Sequence, residues 1–222
     1  MTILTPIGSA KNSSRTLVFV RGFHGFNDLR SRLSRLGFNY PSRRHQTTWY
    51  RGLQRHGYEG QLFSYRWFSP AVDCFLSDFR SARLDDAAED LWDLLQRYDI
   101  PLHTISLMGF SQGAAIIQRI LRFARQASVR FRRVYLFGGA ARRAARWPEL
   151  LTSVTDGLWN FHSADDPILQ SYHPDAIGLY GLPCFHPRAR DIDCTSFVGD
   201  HDDWERHVEY CLYRARLTAT HL

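Results

Sequence analysis

The sequence predicts an α/β protein: a mainly parallel central sheet with helices on both faces. Two observations carry this. Short, continuously apolar runs rich in β-branched and aromatic residues recur along the 222 residues. Stretches with helical periodicity separate them at the spacing of strand–helix–strand units.

Taken in order, residues 1–14 are polar apart from a few aliphatics, contain Pro6, Gly8 and a serine pair, and read as a flexible arm. Residues 15–222 are expected to form one domain. Its first strand is TLVFV at 16–20, stopped by Arg21-Gly22. A helix is expected over 28–36, then an irregular stretch at 37–60 with aromatics, arginines and glycines in no clear period. QLFSYRW at 61–67 is the next strand. The clearest helix spans 85–98, where Ala87, Ala88, Leu91, Leu95 and Tyr98 share a face and acids crowd the first turn. TISLM at 104–108 is a strand and 112–125 a helix, followed by a strand at 133–137, a helix over 140–151 and a strand at 157–161. Residues 170–192, with three prolines, are a second irregular stretch. A weaker strand is expected over 193–198 and a last helix over 203–217. Irregular segments this long are uncommon without a function, so 37–60 and 170–192 are candidate lid or rim segments.

Composition excludes several classes. With 44% hydrophobic and 23% charged residues, the chain is neither disordered nor collagen-like. At this length it buries roughly 70% of its unfolded surface, enough for a core without disulfides or a structural metal. Cys74, Cys184, Cys194 and Cys211 show no metal-ligand spacing and are expected as free thiols. No signal-peptide pattern opens the chain and no run approaches a membrane span, so the expectation is a cytoplasmic protein. The net charge of +6 comes from basic residues that are all arginine except Lys11. The arginines are scattered, with no run longer than two, which argues for a solvated surface over a nucleic-acid site. Contact with an anionic membrane surface is the reading that would use them.

The chemistry-bearing motif is Gly109-Phe110-Ser111-Gln112-Gly113, a G-x-S-x-G between a predicted strand and a predicted helix. That context matters because a serine on a strained strand-to-helix turn projects its hydroxyl above the sheet edge, at a helix N-terminus that favours developing negative charge. Downstream lie His162-Ser163-Ala164-Asp165-Asp166-Pro167 and then Gly199-Asp200-His201-Asp202-Asp203. The acid–histidine cluster around His201 also admits a metal reading, but consecutive residues cannot all point at one ion, so no metal is expected. Arg21-Gly22-Phe23-His24-Gly25 lacks dinucleotide-fingerprint spacing, and no cofactor is expected.

In these motifs the chain resembles the α/β-hydrolase family, in a compact version, over residues 16–216. The order serine, acid, histidine is the family's. The resemblance implies Ser111 as nucleophile, Asp166 as the acid and His201 as the base, with Asp165, His207 and His186 as alternatives. It implies an oxyanion hole from the backbone amides of Phe23 and Gln112. Two departures stand out: Ser163 replaces a glycine in the acid segment, and Arg21 replaces a histidine before Gly22. Arg21, Phe110 and Tyr172 are candidate substrate-binding residues. The implied activity is hydrolysis of a carboxylic ester or thioester, of a small molecule or a lipid, by a serine esterase or lipase-like enzyme. The alternative is a non-catalytic binding module on the same fold.

Overall fold

The run Thr16–Val20 is buried at every position, as a strand must be when it has neighbours on both edges and helices on both faces. The computed structural model describes residues 3–7, 15–22, 43–67, 77–98, 100–218 and 221. Its strands are β1 (Ile3–Ile7), β2 (Thr16–Val20), β3 (Gln61–Arg66), β4 (Ile105–Phe110), β5 (Phe131–Phe137), β6 (Val154–His162) and β7 (Ala189–Asp193). They form one seven-stranded sheet in the order β1-β3-β2-β4-β5-β6-β7. Every pairing is parallel except β1 with β3.

The helices are α1 (Arg43–Arg55), α2 (Ser77–Arg97), α3 (Gln112–Gln126), α4 (Trp147–Leu150), α5 (Pro167–Tyr172), α6 (Ile177–Tyr180) and α7 (Asp203–Arg214). On one face of the sheet α2, α3 and α4 bury Leu84, Leu91, Ile116, Ile120 and Trp147. On the other, α1 and α7 bury Trp49, Leu53, Trp204, Val208 and Leu212 against Phe19, Phe137 and Phe161. Each such side chain contributes about 1.5–3 kcal/mol of transfer free energy. No described helix is long and apolar enough to cross a membrane.

Four expectations are corrected. Part of the expected arm, Ile3–Ile7, pairs with β3 as an edge strand, a place where Pro6 is tolerated. The stretch 37–60 contains α1, in which Trp49 and Leu53 are fully buried. Residues 140–146 are not helical: the Arg142 carbonyl accepts from Gln118 Nε2 and Trp147 Nε1, and Arg142 bridges Ala176. Helix begins only at Trp147. The last strand is Ala189–Asp193, overlapping the end of the expected rim segment 170–192, and residues 195–197 form a turn. The helix expected over 28–36 lies outside the described residues.

Candidate active site

Parallel strands deliver their C-terminal ends to one edge of the sheet, and three loops meet there. The first follows β4. Ser111 has φ 56° and ψ −125°, a conformation costly for a side-chain-bearing residue and kept only where its surroundings over-determine it. They do so here: its N–H donates to the Phe137 carbonyl at 3.1 Å, and its carbonyl accepts from Ala114 and Ala140 N–H at 3.0 and 2.9 Å. The two glycines around it answer to space. A Cβ on Gly113 would lie 2.0 Å from the Val20 carbonyl oxygen, and one on Gly22 2.4 Å from Ser111 Cβ. The loop leaving β2 therefore touches the serine.

The second loop follows β6. Asp166 is fully buried and caps α5, its Oδ1 accepting from the Ile168 and Leu169 amides, both at 3.1 Å. Its Oδ2 accepts from Trp204 Nε1 at 2.9 Å and faces His201 Nδ1 at 2.7 Å. The third loop, after β7, brings His201 Nε2 to 2.9 Å from Ser111 Oγ. Because a carboxylate only accepts, Nδ1 carries the proton and Nε2 is left to accept from the serine hydroxyl.

Burial on its own pushes the Asp166 pKa up. Hydrogen bonding and charge from His201, with the Trp204 indole and the Leu169 amide, outweigh it and hold the carboxyl below its ordinary value. The imidazole is fixed from behind by Phe110, whose ring stacks on it at 4.9 Å and packs in turn on Trp49.

The second and third loops are clasped together. Ser163 Oγ, fully buried, donates to the Val198 carbonyl at 2.6 Å and accepts from the Asp165 amide at 3.2 Å. Ala164 N–H donates to Thr195 Oγ1 at 3.0 Å, and Cys194 N–H to the His162 carbonyl at 2.8 Å. Ser163 stands three residues before Asp166, and Val198 three before His201. The hydroxyl that departs from the family pattern thus ties the two loops whose side chains meet.

The other expected residues are placed as follows. Asp165 is exposed. His207 packs edge-on against Phe197, and His186 Nδ1 accepts from the Arg188 amide; neither is on Ser111. Gln112 is buried at the start of α3, where amides lack intrahelical partners. Arg21 is 8% exposed and its carbonyl accepts from Trp67 Nε1. Phe110 contacts the imidazole and the core. Tyr172 ends α5, 41% exposed. Phe23 lies outside the described residues. Sequence reasoning missed Trp204, which falls inside the expected last helix and was assigned no role. Its indole reaches Asp166 from the first turn of α7, 38 residues away in sequence, so no local signal marked it. No group of three or more potential metal ligands occurs among the described residues.

The family model for phospholipases and carboxylesterases matches residues 45–207. Among solved structures, a dienelactone hydrolase-like promiscuous phosphotriesterase from metagenomic libraries superposes with a TM-score of 0.53 at 12% identity, covering 98% of each chain. The thioesterase RedJ from the prodiginine biosynthetic pathway of Streptomyces coelicolor gives 0.53 at 15% identity, covering 98% of this chain and 97% of that one. An esterase of the fungus Rhizomucor miehei gives 0.53 at 11% identity over 100% and 85%. At such identities the likeness is one of fold. A search of curated proteins finds no significant match.

Proposed function

Because the chain belongs to the phospholipase/carboxylesterase family of serine hydrolases, we propose that it cleaves carboxylic esters or thioesters through Ser111, His201 and Asp166 and a covalent acyl-enzyme. The observation that carries this reading is the hydrogen-bonded line from Ser111 Oγ through the His201 ring to Asp166.

In the first half-reaction His201 Nε2 takes the Ser111 proton as Oγ attacks the acyl carbonyl. The resulting imidazolium is stabilised by Asp166, which stays a carboxylate because its pKa is held low. Its negative charge is shared with the Trp204 indole and two α5 amides, which fixes its orientation as well. The tetrahedral oxyanion is received by the backbone amide of Gln112, on the positive end of α3, with the Phe23 amide that the family resemblance implies as second donor. His201 then gives its proton to the leaving alcohol or thiol, and water repeats the sequence to release the acid. Tyr172 and Ile168, both exposed, give α5 an apolar surface. These favour an acyl group with an apolar chain, including one from a lipid.

The test is turnover of p-nitrophenyl acetate and butyrate. The reading expects hydrolysis by the wild type and none above background by Ser111→Ala. Equal rates for the two proteins, or none for either, would leave the binding-module alternative standing.

A further inference from the structure

The sheet has a second functional edge. Where β5, β6 and β7 begin, a cavity of about 480 Å³ lies among Arg133, Asp156, Trp159, Arg188, Arg190 and Arg216, with Pro187 and Leu217 on its wall. We propose that it binds a phosphorylated small organic molecule, the phosphate on the arginines and the carbon part against Trp159, Pro187 and Leu217.

Charge is the first argument. Among the described residues, four arginines and His221 line this cavity against one carboxylate, Asp156, which already bonds Arg133 NH2 at 2.9 Å and Arg132 Nε at 3.3 Å. The arginines come from a strand, from the loop entering β7, from β7 itself and from the turn after α7, so chain folding gathers them. Like charges gathered in a concave site repel one another, and the arrangement is complementary to an oxyanion that arginine forks can bind bidentately. Two members are pinned. Arg133 is 9% exposed, and Arg188 donates to the Val154 carbonyl at 2.7 Å.

The second argument is backbone strain at Arg216. Helix α7 ends with Leu217 N–H on the Leu212 carbonyl at 3.1 Å and Arg216 N–H on the Tyr213 carbonyl at 2.9 Å. This doubly bonded helix end places the second residue after the helix, here Arg216, in the left-handed region at φ 53°, where glycine is the unstrained choice. An arginine held there at a cost to stability fits a side chain retained for what it contacts.

Size is the third. The cavity falls within the range of small-molecule sites and is several times larger than a bare phosphate needs. Its floor is the Trp159 indole, stacked on Tyr135 at 5.3 Å. Five residue steps along β6 lead from Gly157 to His162, about 17 Å of extended chain, so this cavity is distinct from the Ser111 site.

The experiment is calorimetric titration of the full chain with phenyl phosphate, inorganic phosphate and benzyl alcohol at fixed ionic strength. The wild type is expected to bind phenyl phosphate more tightly than inorganic phosphate, and benzyl alcohol not at all. Arg190→Gln with Arg216→Gln should weaken phenyl phosphate binding about ten-fold or more, with p-nitrophenyl acetate turnover unchanged. Arg216→Gly gives a sharper reading: it should raise Tm while lowering affinity. No binding by the wild type up to millimolar concentrations, or affinity unmoved by the arginine substitutions, would overturn the proposal. Inorganic phosphate binding as tightly as phenyl phosphate would overturn its organic part.

Discussion

The two ends of the sheet handle charge in opposite ways. At the C-terminal edge one carboxylate, Asp166, has no exposure and four hydrogen-bonding partners. At the N-terminal edge arginines gather around Asp156, the one carboxylate among the described lining residues. The first arrangement is complete within the protein and holds one geometry. The second has its charge in excess and is completed by a ligand. The difference teaches that preorganisation is legible as satisfied hydrogen bonding, whereas a binding surface is legible as an imbalance.

That contrast can be broken at several points. The largest effect is expected from Ser111→Ala or His201→Ala, either of which should lower kcat by about 10⁴-fold or more, read by ester turnover. Asp166→Asn should cost about 10³–10⁴-fold, since an amide can present the wrong partner to Nδ1 and leave the imidazole in the wrong tautomer. The same substitution carries a stability signature. A carboxyl whose folded pKa is depressed contributes stability that is fully present above its unfolded value of about 3.9 and is lost as pH falls through the lower folded value. Urea midpoints below about pH 4 should therefore fall more steeply for the wild type than for Asp166→Asn.

Ser163→Ala comes next. It leaves the Val198 carbonyl without its 2.6 Å donor in a dry site, a loss of about 1–3 kcal/mol that lowers the urea midpoint. Because the clasp sets where His201 stands relative to Asp166, kcat should fall about ten-fold with KM unchanged. Loss of stability with unaltered kcat would reduce Ser163 to a structural part. The smallest effect belongs to the opposite edge: Arg190→Gln should leave ester turnover within two-fold or so and shift stability by less than about 0.5 kcal/mol, because Arg190 is exposed and remote from Ser111.

How much of this was legible follows from where the information lies. The turn carrying Ser111 joins a buried strand to an amphipathic helix, both written in local periodicity, and the later acid and histidine stand in an order the chain displays. Trp204 and the Ser163 clasp were not legible, because each acts across loops 35 residues or more apart in sequence. The edge strands were missed or shifted for a related reason. With one neighbour and a solvent-exposed face, β7 needs few apolar residues: its sequence is ARDID, and Asp191 serves as acceptor for Asn160 Nδ2 and the Leu182 amide. The neighbouring TSFV has the higher strand propensity and forms a turn instead. The irregular look of 37–60 arose because α1 packs on α7 so closely that a Cβ on Gly52 would lie 2.2 Å from Val208 Cγ1. Contact that close replaces large side chains with glycine and blurs the helical period.

The central claim is that Ser111 is a nucleophile activated by His201 and oriented by Asp166. Incubation with a fluorophosphonate probe, followed by peptide mass mapping, tests it most directly. The account predicts one adduct, on Ser111, absent in Ser111→Ala and strongly slowed in His201→Ala and Asp166→Asn. Labelling of another residue, or of Ser111 at the same rate in all three proteins with Ser111 intact, would contradict it.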